Sequence, residues 1–86
     1  MIKSQSSLPL LKAAIGQWVR VVEFISPPQL AHQLIQLGLS PGDCVRIVRR
    51  APLGGPVLVE FNGRSVALGR KIAAQIIIEE TECASH

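Results

Sequence analysis

Residues 57–68 read VLVEFNGRSVAL, and this stretch decides the fold. The pair Asn62-Gly63 between two apolar segments is the strongest short-range signal of a two-residue β-hairpin turn. Such a turn fixes the register of the flanking strands and collects their apolar side chains on one face. Only Arg64 falls out of this pattern, and at a strand end its guanidinium can extend to solvent. The predicted apolar face carries Val57, Val59, Phe61, Val66 and Leu68.

Upstream of the hairpin, the tetrapeptide SPPQ predicts the start of a helix. Ser26 is placed as the N-cap, Pro27 as the first helical residue, and Gln29 completes a capping box. Apolar residues then recur at helical spacing as far as Gly38, which supplies the left-handed residue that ends a helix. We predict one helix over 27–37.

Three further segments, 17–25, 44–50 and 75–80, are rich in β-branched residues and predict strands. Pro41 and Gly42 predict a tight turn just before the second of them. A sheet of five short strands must curl on itself to bury one face and remove its edges. The predicted fold is therefore mainly β with one or two short helices, a small and partly open β-barrel with a helix across one end.

The composition fits a single domain with a substantial core. Hydrophobic residues make up 48% of the 86 residues and charged residues only 17%. A domain of this size buries roughly 60% of its unfolded surface, so we expect some apolar side chains to face a partner. We predict a barrel domain over 8–80 between a flexible N-terminus over 1–7 and a flexible tail over 81–86. No secretory signal or membrane-spanning run is legible, so we expect a cytoplasmic protein without direct membrane insertion.

Positive charge is concentrated in the second half of the chain, although the formal net charge is only +3. A basic face suits an acidic protein, an anionic lipid or a nucleic acid, and it can equally keep a small domain soluble. Aromatic residues make up only 3% of the chain, which argues against binding of single-stranded nucleic acid by base stacking. The basic residues of this region are Arg46, Arg49, Arg50, Arg64, Arg70 and Lys71, against Glu60 alone.

No combination of residues predicts catalysis. There is no nucleophile–base pair, no phosphate-binding loop and no pair of close carboxylates, so we predict that the chain is not an enzyme and requires no cofactor. Cys83 and His86 form a C-x-x-H pair, and His32 and Cys44 are further candidate metal ligands. Two ligands make half a site, so weak transition-metal binding is the most that we expect. In a reducing cytoplasm both cysteines are predicted to be free thiols.

Residues 37–68, from LGLSPG to SVAL, resemble the FeoA family, small cytoplasmic proteins of bacterial ferrous iron uptake. The family pattern is L-G-L/M-x-P-G, a strand, then A-P-L-G-D-P and a hairpin that ends in leucine. The resemblance covers about residues 8–80. It implies an SH3-like barrel without catalysis that regulates FeoB, the membrane ferrous iron transporter with a cytoplasmic GTP-binding domain. The matching residues are Leu37, Gly38, Leu39, Pro41 and Gly42 in the first block and Ala51, Pro52, Leu53, Gly54 and Pro56 in the second.

The resemblance leaves two other functions open. Similar domains occur at the C-terminus of metal-dependent repressors, so a metal-responsive binding domain is one alternative. A small basic nucleic-acid-binding barrel is the other. The chain also departs from the family pattern, because Gly55 stands where the family usually has aspartate.

The loop RRAPLGGP, residues 49–56, raises the question of what a leucine does among glycines and prolines. A stiff loop presents Leu53 at little cost in ordering entropy, which makes it a candidate docking point on FeoB. Alternatively, Leu53 folds back over the barrel or contributes to self-association. Trp18 likewise is either a binding anchor or a cover for one mouth of the barrel. The predicted partner-binding residues are Arg49, Arg50, Pro52, Leu53, Gly54 and Pro56.

Overall fold

The hairpin at Asn62-Gly63 forms in the predicted register. In the computed structural model, which describes residues 7–25, 28–80 and 83, strand β4 (Val57–Phe61) pairs with β5 (Arg64–Leu68). Both turn residues have positive φ, 51° and 76°, as a type I′ turn requires. The predicted apolar face is buried, although Val66 is covered only in part.

Six antiparallel strands form one sheet in the order β1-β6-β2-β3-β4-β5, so the barrel is open between β1 and β5. Strand β3 matches its predicted bounds, whereas β2 and β6 are each slightly shorter than predicted. The prediction of five strands is wrong, because it missed a short N-terminal strand. The remaining strands are β1 (Ser7–Pro9), β2 (Trp18–Phe24), β3 (Cys44–Arg50) and β6 (Ile76–Glu79).

The added strand β1 pairs with β6, and Ser7, which we had expected to be flexible, lies opposite Glu79. A 3₁₀ turn (Leu10–Lys12) follows and carries Leu10 into the core, where it is fully buried. This apolar contact gives so short a strand its tertiary support. Periodicity cannot detect a three-residue strand that contains proline, because it is too short to alternate visibly.

Helix α1 (Pro28–Gln36) ends as the sequence predicts, whereas Ser26 and Pro27 of the capping box lie outside the described residues. Gly38 has a φ of 98°. The Leu39 N–H donates to the Leu34 carbonyl at 3.0 Å and the Gly38 N–H to the Ile35 carbonyl at 2.9 Å. This is a Schellman motif, and its usual apolar pair, here Leu34 and Leu39, is fully buried.

One-residue bulges interrupt β2 at Val22 and β3 at Val48. A bulge bends its strand and reverses the inside–outside alternation beyond it. After Val48, Arg49 lies opposite the outward-facing Leu58, and Arg50 lies opposite Val57, which is fully buried. Strict alternation would have given the two arginines the opposite orientations.

Cys44 and Cys83 are joined by a disulfide, with their Cα atoms 6.2 Å apart. The prediction of two free thiols is therefore wrong, and Cys83 is covalently held rather than part of a loose tail. Their separation of 39 positions along the sequence conceals their proximity. Because β6 and β3 both pair with β2, the chain that leaves β6 is brought back to the start of β3.

Candidate functional site

The 51–56 loop, which joins β3 to β4, is closed by two backbone hydrogen bonds. The Ala51 N–H donates to the Pro56 carbonyl at 2.9 Å, and the Gly55 N–H donates to the Pro52 carbonyl at 3.2 Å. The inner bond spans a four-residue turn whose central residues, Leu53 and Gly54, both have positive φ. Positive φ at both central positions is the pattern of a type I′ turn. The loop is therefore an ordered projection from the barrel.

Leu53 is fully exposed, at 102% of its reference accessible area, with a φ of 59°. The left-handed conformation costs an ordinary L-residue roughly 1–2 kcal/mol. Because the side chain is fully exposed, its burial does not offset this cost, and the conformation is held by the two hydrogen bonds of the loop. Leu53 does not fold back over the barrel, and that interpretation is wrong. The docking and self-association interpretations both require an exposed Leu53.

Gly55 lies where a side chain would collide with the other end of the loop. A Cβ placed on it would be 2.8 Å from the Ala51 Cβ and 3.3 Å from the Pro52 carbonyl oxygen. The aspartate that the family usually carries here does not fit this loop unless Ala51 moves. Glycine at position 55 thus allows the two ends of the loop to approach each other closely.

Gly55→Ala is expected to lower the free energy of unfolding by about 1–3 kcal/mol, since it overpacks the loop against Ala51. Gly69→Ala is the matched control, because a Cβ on Gly69 meets nothing within 4 Å and its φ is −63°. That control should change stability by no more than about 0.5 kcal/mol. Urea unfolding measures both, and equal effects would contradict the steric argument. Adding Ala51→Gly to Gly55→Ala should restore part of the loss.

Arg50 belongs to the fold rather than to a partner surface. Its Nη2 donates to the carbonyl oxygens of Leu11 and Ala13, at 2.7 and 2.6 Å. The two bonds fasten the segment after β1 to the end of β3. The Nη2 group of Arg50 is therefore engaged within the fold, which argues against Arg50, but not against Arg49, as a partner-binding residue.

Two more of the predicted basic residues are similarly engaged. Arg46 donates from Nε and Nη2 to Oε1 of Glu60, at 2.9 and 2.7 Å, and its guanidinium lies 5.2 Å from the centre of the Trp18 ring. Arg64 donates from Nη1 to the Leu37 carbonyl at 3.1 Å. Glu60 thus neutralises Arg46, whereas Arg64 remains exposed and keeps its positive charge.

Arg49, Arg70 and Lys71 are exposed and make no hydrogen bond or ion pair with any residue that the structure describes. Arg70 begins α2 (Arg70–Ala73), and its Cδ lies 3.8 Å from the position of a Cβ on Gly54. Its aliphatic part therefore covers the loop beside Leu53. Arg49 lines a shallow cavity of about 210 Å³ at the other end of the loop, together with Ala51, Pro56, Leu58 and Ala67.

The described residues contain no group of three or more histidine, cysteine, aspartate or glutamate side chains that could hold a metal ion. Cys44 and Cys83 are bonded to each other. His32 is an exposed residue of α1, and His86 lies outside the described residues. Among the described residues, the candidate ligands His32, Cys44 and Cys83 are therefore not assembled into a metal site.

A second cavity, of about 490 Å³, lies beside the disulfide. Trp18 is half-buried in the wall of this cavity. The cavity lies between the turn at Gly42 and the turn at Asn62-Gly63. No local sequence pattern connects Trp18 with these turns, because they lie far from it along the chain. The lining residues are Trp18, Gly42, Asp43, Cys44, Asn62 and Gly63. We refer to this cavity as the Trp18 cleft.

Comparison with known proteins agrees with the fold and with the extent of the resemblance. The family model of the FeoA domain matches residues 8–80. The Fe(2+) transport protein A of Methanocaldococcus jannaschii is 28% identical over 74 residues, which are 86% of this chain and 88% of that protein. The solution structure of the FeoA protein from Chlorobium tepidum aligns over 91% of this chain and 74% of that chain, with 27% identity and a TM-score of 0.79.

A manganese-dependent transcriptional repressor contains the same fold. It aligns over 93% of this chain with 20% identity and a TM-score of 0.81, although the match covers only 45% of the repressor. At this identity the likeness concerns the fold alone. The SH3-like barrel implied by the sequence is confirmed, as is the resemblance on which it rested.

Proposed function

The chain belongs to the FeoA family of ferrous iron transport proteins, and from this premise we propose that it is a non-enzymatic, cytoplasmic regulator that acts by direct contact with FeoB. Contact with FeoB recruits the chain to the inner face of the membrane. No helix among the described residues is long and apolar enough to cross a bilayer. No cofactor is required for such a role. The observation that carries the proposal is the fully exposed, left-handed Leu53.

The 51–56 loop has the properties of a pre-organised contact. Its two internal hydrogen bonds and its prolines hold the conformation before a partner arrives, which lowers the entropic cost of binding. A residue other than glycine in the left-handed conformation is found preferentially at functional sites in proteins. Both features favour Leu53 as the residue that enters an apolar pocket of the partner.

The surroundings of the loop define the rest of the complementary surface. Arg70 covers the loop at Gly54, and the exposed Arg49 lies where the loop leaves β3. A partner that accepts Leu53 is therefore expected to carry acidic side chains around an apolar pocket. Charges at the rim of an interface mainly accelerate association, so binding should weaken as ionic strength rises.

The proposal is tested by titrating the ¹⁵N-labelled chain with the GTP-binding domain of its cognate FeoB, with and without nucleotide, and following the backbone amide resonances. Shifts confined to residues 49–57 and 70–71 are the expected result. Shifts elsewhere on the barrel would contradict the proposed surface. If the soluble domain causes no shifts, the same titration with full-length FeoB in detergent decides whether any FeoB contact exists.

Leu53→Asp is expected to weaken FeoB binding by at least about tenfold, because a carboxylate would have to enter an apolar and acidic site. Leu53→Gly is the matched variant, since it also deletes the side chain but relieves the strain, and it should raise stability by about 1 kcal/mol. Calorimetry measures affinity and urea unfolding measures stability. Unchanged affinity in both variants would refute docking through Leu53. A shift from dimer to monomer in Leu53→Asp, measured by sedimentation, would instead assign Leu53 to self-association.

A further inference from the structure

The disulfide occupies an unusual place in the barrel. Cys44 is the first residue of β3, and Cys83 lies outside the strands and helices, four positions after the end of β6. Strand β2 lies between β3 and β6 in the sheet, so the bond links two elements that are not hydrogen-bonded to each other. Both cysteines are half-buried rather than enclosed in the core.

We propose that Cys44–Cys83 is a site of reversible thiol–disulfide exchange, reduced by a protein dithiol of the thioredoxin class and reoxidised by a low-molecular-weight disulfide such as glutathione disulfide. The inference rests on the cytoplasmic location proposed above. Disulfides in reducing compartments are usually transient, catalytic or redox-sensing rather than permanent. A disulfide in a cytoplasmic member of an iron(II) transport family is therefore expected to respond to redox conditions.

In the proposed exchange, the sulfur of Cys83 is the point of attack. Because Cys83 belongs to no strand, a reductant can approach it without breaking any ladder of the sheet. The departing sulfur is then that of Cys44. Arg20 lies directly opposite Cys44 across the β2–β3 ladder, where facing Cβ atoms are about 5 Å apart. A neighbouring positive charge stabilises a thiolate and makes it a better leaving group.

The exchange is a two-electron reduction in two steps. A thiolate of the reductant attacks Sγ of Cys83, the Cys44–Cys83 bond breaks, and a mixed disulfide forms while Cys44 leaves as a thiolate. The second thiolate of the reductant then attacks the sulfur of the mixed disulfide that belongs to the reductant. This step releases Cys83 as a thiolate and leaves the reductant as a disulfide. The released thiolates take up protons from solvent according to the pH.

The Trp18 cleft connects the redox state to the surface of the molecule. Cys44 and Trp18 line the same cavity, so the disulfide holds residue 83 at its edge. Reduction removes the covalent link between Cys44, which lines the cleft, and Cys83. Trp18 is the one tryptophan in the sequence, so its fluorescence reports this change directly.

The test uses the full oxidised chain in native buffer. Thiols are trapped with N-ethylmaleimide and counted by mass spectrometry during reduction by thioredoxin, and Trp18 fluorescence is followed in parallel with dithiothreitol, which does not fluoresce. We expect two modified cysteines per chain, a rate that doubles when the reductant is doubled, a matching change in fluorescence, and recovery of the disulfide with glutathione disulfide. Arg20→Gln should slow the reduction, because the leaving thiolate loses the positive charge on the residue opposite it in the ladder. The Cys44→Ser/Cys83→Ser double variant should show no fluorescence response.

Three results would overturn the inference. The first is two free thiols in the air-oxidised protein. The second is a reduction rate that equals the rate of global unfolding at every reductant concentration. The third is an Arg20→Gln variant that is reduced at the wild-type rate. The assay contains no transporter. A purely structural disulfide would leave the FeoB proposal standing, and a failure to bind FeoB would leave the exchange chemistry standing.

Discussion

Cys83→Ser is expected to lower the free energy of unfolding by about 4 kcal/mol at 25 °C relative to the oxidised chain. The disulfide joins residues 39 positions apart, and closing so long a loop removes many conformations from the unfolded chain. For a domain of this size the loss is a large fraction of the total stability. Urea unfolding of oxidised wild type and variant, followed by circular dichroism, measures the difference.

Two controls separate the covalent bond from the packing of the side chain. Cys44→Ser and the double variant should each lose as much as Cys83→Ser, since any of them removes the same bond. In dithiothreitol the wild type should become as unstable as the variants. A stability gap that persists in reductant would show that the bond is not the cause. By thermodynamic linkage, the free energy that the disulfide adds to the stability of the fold is also the free energy by which the fold favours the disulfide. A dithiol reductant, rather than monothiol glutathione, is therefore expected to reduce it.

The elements that short-range signals specify were predicted from the sequence with nearly correct bounds. The hairpin follows from the φ preferences of Asn62 and Gly63, and the end of α1 follows from Gly38. In both cases the decisive residue lies within a few positions of the bond that it permits. Such features are readable without knowledge of the tertiary structure.

The features that were missed depend on contacts between distant segments. Strand β1 exists because β6 offers it a partner and because Leu10 fits into the core. The disulfide exists because the sheet order brings residue 83 back to Cys44. Neither cause leaves a local pattern, since composition near each segment is compatible with a loose terminus.

The candidate site was predicted in part. The prolines and glycines of the 51–56 loop indicated a stiff projection, and the exposure of Leu53 agrees with that prediction. The positive φ of Leu53 was not foreseeable, because a bulky residue rarely adopts it. The separate roles of Arg49 and Arg50 were also missed, because the bulge at Val48 that reverses their orientations has no sequence signature.

Arg50→Ala is expected to lower the free energy of unfolding by roughly 3–4 kcal/mol. A hydrogen bond from a charged donor contributes about 1.5–3 kcal/mol, and Arg50 donates two of them. Their summed contribution is reduced here because the Arg50 side chain is partly accessible to solvent. The substitution leaves two carbonyls without their donor, one of them on Ala13, whose side chain is buried. Urea unfolding gives the size of the loss, and hydrogen exchange should show that the segment around Leu11 opens first.

The adjacent arginine is the matched control, because Arg49 is exposed and makes no hydrogen bond with the described residues. Arg49→Ala should change stability by no more than about 0.5 kcal/mol, yet it should slow association with FeoB. Arg50→Lys should recover part of the stability, since an ammonium can donate to both carbonyls. Equal losses of stability in the two alanine variants would contradict the division of roles. A loss of FeoB affinity in folded Arg50→Lys, with Arg49→Ala unaffected, would return Arg50 to the docking surface and remove Arg49 from it.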